Sequence, residues 1–108
     1  MVGSRQGGNM TNKRLINFLR YIKKDNEVSA VEMINAELDK GVDLDLILKK
    51  DSDGFGYSLY ARKISGDKYI IELGFQAGPL AGDGGEWEVT FDGYDKVVEC
   101  ISESTWIS

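Results

Sequence analysis

Three glutamates in this chain have types and spacings that can do chemistry. Glu86 and Glu88 lie two residues apart in "GEWEVTF", so a strand there puts both on the face opposite Trp87. Glu72, in "KYIIELGF", joins them if the two segments pair. A carboxylate group of this kind suits the acid and base of a glycosidase or the oxygen shell of a hard cation. Acids also sit at such positions on any solvated sheet face, so plain solubility is the competing explanation.

Between Glu72 and Glu88 runs "GFQAGPLAGDGGE", residues 74–86, with five of the thirteen glycines and the only proline. Its composition predicts a connection of roughly eleven residues, longer than an ordinary hairpin loop. Leu80 at its tip, ringed by Gln76, Asp83 and Glu86, has the character of a binding loop or a lid. A phosphate cradle is excluded: the segment has no G-K-[ST] and no base, and from Glu72 to Glu103 eight acids accompany one lysine.

Other chemistries fall away by residue type. The chain has no histidine, which removes the usual activator of serine and cysteine nucleophiles and the commonest zinc ligand. Cys100, on the apolar side of its segment among acids, reads as a structural thiol. A calcium loop started at Asp51 has Asp53 at its third position but Phe55 at the fifth and Arg62 at the twelfth, so it reads as a polar turn. No catalytic residue, metal site or cofactor is expected. Tyr57, Tyr60 and Trp106 read as packing and boundary residues.

Charge narrows the partners. The chain of 108 residues carries 13 bases and 18 acids, net −5. Residues 1–24 hold six bases (Arg5, Lys13, Arg14, Arg20, Lys23, Lys24) and no acid, so the seven remaining bases face all eighteen acids, a net of −11 over residues 25–108. Such a field opposes nucleic acid and draws cations or a basic protein. One cysteine makes no internal bridge, no run is apolar enough to span a bilayer, and the N-terminus has no secretory pattern. Together these predict a cytoplasmic protein without membrane contact.

The elements that position these residues follow from periodicity. Residues 1–10 are too polar to order and form an N-terminal arm; residues 11–108 form a single α+β domain. Leu15, Phe18, Leu19 and Ile22 make one face of a first helix, opposite Lys13, Asn17, Arg20 and Lys24. Ser29 and Glu32 form a capping box for a second helix, which Gly41 ends. Residues 42–49 alternate as a strand does, and "SGD" at 65–67 joins two antiparallel strands. A third strand follows at "WEVTF". After Asp92 as N-cap, Tyr94, Val97, Val98 and Ile101 predict a C-terminal helix. The expected fold is two N-terminal helices, a three- or four-stranded antiparallel meander and a C-terminal helix, in two layers.

The sequence therefore points to a small acidic, non-enzymatic interaction module that binds a basic protein through its acidic sheet face and glycine-rich loop. The analogy is with small acidic immunity or inhibitor proteins, in charge and size alone. The alternative is a binder of a neutral or cationic small molecule with residues 74–86 as lid. A carboxylate enzyme using Glu72, Glu86 or Glu88 stands behind both. A homodimer through an uncovered face bearing Tyr60 and Ile70 is compatible with each.

Overall fold

The computed structural model describes residues 10–24, 28–49, 56–78 and 81–107. Three helices, α1 (Asn12–Ile22), α2 (Ser29–Asp39) and α3 (Leu44–Ile47), precede four strands, β1 (Gly56–Ser65), β2 (Lys68–Gly78), β3 (Ala81–Phe91) and β4 (Val97–Ile107). The strands form one antiparallel sheet in the order β1-β2-β3-β4. Helices cover one face of it and leave the other open. Residues 1–9 of the expected N-terminal arm and the turn at Asp51 lie outside the described residues, while Met10, the last residue of that arm, packs against the core.

The core is the intersection of a helical period and a strand period. Leu15, Phe18, Leu19 and Ile22 of α1, with Val31 and Ile34 of α2, bury against Leu59, Ile71, Leu73, Trp87, Val89 and Phe91 from the sheet. Each such side chain contributes about 1.5–3 kcal/mol on burial. Phe18 meets Trp87 edge to face at 5.5 Å. The one fully buried polar side chain among the described residues, Asn35, donates to the carbonyls of Leu19 and Val31 and accepts from Arg20, pinning α1 to α2.

The C-terminal helix is not formed; residues 97–107 are the fourth strand. The spacing of Tyr94, Val97, Val98 and Ile101 fits a helix, but the segment is rich in β-branched and aromatic residues, and β3 has an edge to satisfy. Pairing Val89 with Cys100 and Glu88 with Ile101 satisfies it. Asp92 still performs cap chemistry, for a turn: its Oδ1 accepts from the N–H groups of Tyr94 (2.8 Å) and Lys96 (3.0 Å). Asp95 takes the left-handed conformation, φ 66°, which Asp tolerates better than most residues. β4 carries two bulges, at Glu103 and Val98, each an extra residue against β3.

Two smaller expectations are corrected as well. Residues 44–47 are a helical turn, because Leu44, Ile47 and Leu48 bury at i, i+3 and i+4 while Leu46 stays 65% exposed; strand alternation would have buried Leu46. The Ser29–Glu32 capping box is absent. Val28 is the N-cap without a side-chain bond, and Ser29 instead donates through its N–H (2.8 Å) and hydroxyl (2.7 Å) to Asp83 on β3. Gly41 does end α2 in the left-handed region, φ 86°.

Candidate functional site

Residues 74–86 are not a long loop. Residues 74–78 belong to β2 and 81–86 to β3, paired as Gly74 with Gly84, Phe75 with Asp83 and Gln76 with Gly82. The strands continue through glycines because another element supplies the missing side chain. From β4 the Trp106 indole reaches across β3 to β2: a Cβ added to Gly84 would lie 2.5 Å from its Nε1, and one added to Gly74 2.9 Å from its Cζ2. Any side chain at either position would displace the indole. Gly74 and Gly84 are buried beneath a tryptophan that is itself 43% exposed.

The register fixes what stands beside it. On the open face Tyr60 is opposite Glu72, Glu72 opposite Glu86, and Glu86 opposite Ser104; the next row runs Ser58, Gly74, Gly84, Trp106. These two rows enclose a groove of about 240 Å³. Glu88 lies in the row on the other side and is held by Lys68 at 3.5 Å. Glu72 and Glu86 face one another, and among the described residues no cation lies within 4.0 Å of either. Like charges directly opposite on neighbouring strands destabilise a sheet.

The structure thus brings Glu72, Glu86 and Glu88 onto one face and places Asp83 on the other. Gln76 bends along the hairpin end and donates to the carbonyl of Gly78 at 2.9 Å. Asp83 points to the helical side and holds the N-terminus of α2, where a carboxylate complements the unpaired N–H groups. Leu80 lies outside the described residues. Tyr60 and Ile70 both belong to the open face, half-buried. Trp106, Ser58 and Ser104 were not among the sequence candidates. Their signal was there in principle: glycines at 82 and 84 keep strand period, and edge aromatics commonly cover glycine in a sheet.

Of the six N-terminal bases, Arg14 shows how this protein neutralises acids internally. Its side chain, 13% exposed, bonds Asp95 at 2.6 Å and Asp67 at 3.2 Å, while its guanidinium carbon lies 5.0 Å from the Phe91 ring centre and 5.9 Å from that of Tyr69. The hydrogen bond that Arg14 donates to Asp95 chiefly holds its pKa above the ordinary value, against the opposing effect of burial. Arg20 and Lys23 pair with Asp39 and Lys13 with Asp95. The basic helix face is engaged by the acidic body of its own chain.

Elsewhere the chemistry is sparse. A wider hollow of about 480 Å³ lies between α2, α3 and β1, lined by apolar side chains with Glu37 and Tyr57; burial raises the Tyr57 pKa. Burial pushes the Cys100 thiol up to about 11, away from nucleophilic use. Among the described residues no cluster of His, Cys, Asp or Glu is arranged to hold a metal ion, and no helix is long and apolar enough to cross a membrane. Compared with family models, curated proteins and solved structures, the chain matches none.

Proposed function

We propose that this protein is a non-enzymatic interaction module that holds a basic protein surface against its open sheet face. One observation carries the reading: Glu72 and Glu86 are paired in register without a neutralising cation among the described residues, beside an exposed tryptophan. A partner's positive charge removes the repulsion between them, so binding gains what folding gives up. Catalysis is disfavoured because the pair sits on an open face, with Glu72 exposed, where water screens the charges an enzyme needs unscreened. The chain's single cysteine fits a reducing, cytoplasmic setting.

The small-ligand alternative has lost its lid, since residues 74–78 and 81–86 are sheet. The groove, at about 240 Å³, is smaller than the 300 Å³ or so at which drug-sized pockets begin, and the hollow of about 480 Å³ between α2, α3 and β1 has none of residues 74–86 in its lining. The test is a titration of the isotope-labelled chain with a lysine-rich decapeptide, followed by amide resonances. Shifts concentrated at 72, 86 and 104, with affinity falling as salt rises, support the reading. Shifts confined to the helices, or an affinity indifferent to salt, overturn it.

A further inference from the structure

We infer that the groove beside Trp106 is a guanidinium site that takes one arginine side chain of the partner. The inference rests on the open-face reading and adds the identity of the group bound. Its template lies within the same molecule. Around Arg14 two carboxylates, Asp95 and Asp67, grip the guanidinium while the rings of Phe91 and Tyr69 stand within 6 Å of it. The groove offers the same set of groups, two carboxylates and two aromatic rings, in Glu72, Glu86, Tyr60 and Trp106, with no cation among the described residues paired to either acid.

Geometry favours arginine over lysine. Residues directly opposite on antiparallel strands hold their Cβ atoms about 5 Å apart, so Glu72 and Glu86 present two carboxylates side by side. A planar fork with five N–H donors spans such a pair, whereas an ammonium is a compact point charge that stays hydrated. The hydroxyls of Ser58 and Ser104, which also line the groove, accept from N–H groups left over. Trp106 is the best aromatic partner for a stacked guanidinium, and Gly74 and Gly84 hold it from below so that its outer surface stays available. Arg62, the nearest arginine on this face by register, stands beside Ile70 and pairs with no acid among the described residues. The volume admits one long side chain.

The experiment compares an arginine-rich with a lysine-rich decapeptide of equal charge, binding to the intact chain at low salt, while the indole N–H resonances of Trp106 and the buried Trp87 are followed. The arginine peptide is expected to bind about 10-fold more tightly, equivalent to about 1.4 kcal/mol, and to move the Trp106 signal while Trp87 stays still. In Trp106→Leu the preference should shrink towards what the Glu72–Glu86 pair gives alone. Equal affinities for the intact chain, or an arginine peptide that binds without moving the Trp106 signal, would overturn the guanidinium site and leave the open-face reading standing. Binding of neither peptide removes both. The resonance measurement needs no substitution, so it decides even if Trp106→Leu fails to fold.

Discussion

Two places on this molecule gather a pair of carboxylates beside a pair of aromatic rings, and they differ in one component. At the helical end Asp95 and Asp67 have Arg14 between them, and the arrangement ties α1 to the β1–β2 and β3–β4 turns. On the open face Glu72 and Glu86 stand opposite each other with no cation among the described residues paired to either, and with Tyr60 and Trp106 alongside. In the first, opposite charges hold distant segments together. In the second, like charges are set against each other, and it is this pair that we propose a cation from outside completes. On that proposal acidity alone does not mark a binding face; acidity left uncompensated does.

Substitutions at the two places should act with opposite sign, and the largest effect is expected at Arg14. Arg14→Met removes both ion pairs while leaving Asp95 at 30% side-chain exposure; with that partial solvation the loss should be about 2 kcal/mol, or about 10 °C in Tm. A melting point unchanged within error would show that the node is ornamental to the fold. Asp83→Ala should cost about 1 kcal/mol by uncapping α2, visible as a lower urea midpoint at constant slope. Peptide affinity should hold in this variant, since Asp83 faces the helices.

Glu72→Gln is the sharper discriminator. It should raise stability by about 0.5 kcal/mol by removing the repulsion with Glu86 while weakening the lysine-rich peptide. A destabilised variant would mean that Glu72 supports the fold, and the contrast with Arg14 would collapse. The smallest effect is expected at the β3–β4 turn. The N–H groups of Lys96 and then Tyr94 hold the Asp92 carboxyl below its ordinary 3.8. A depressed folded pKa contributes stability that is present above 3.8 and lost as pH falls through the folded value. The protection of the Tyr94 and Lys96 amides, relative to their intrinsic exchange at each pH, should therefore fall only below about pH 4.

What the sequence made legible was local. The apolar faces of α1 and α2, the Gly41 terminus, the turn at 65–67 and the alternation of 69–75 and 87–91 all follow from residues within a few positions of one another. That alternation also put Glu72, Glu86 and Glu88 on one face. Misread segments were those whose conformation is decided far away. Gly74 and Gly84 are strand because Trp106 covers them, and Ser29 is bonded by a residue 54 positions on. The segment from Tyr94 to Ile101 satisfies helical and strand patterns alike, and the free edge of β3 decides between them. With β4 read as a helix, Trp106 has no route to the groove, so the sequence reading holds only the acids of the candidate site.

The bulges in β4 have a consequence beyond their own strand. Val98, Ile101 and Ile107 are exposed along an edge of eleven residues, which is the composition of an aggregation template. Extra residues at Val98 and Glu103 break the even ladder that an incoming strand would copy, and Glu99 and Glu103 act as charged gatekeepers within the same stretch. The β4 edge is thus a poor template for a fifth strand, so the sheet can leave one broad face uncovered without that edge inviting growth.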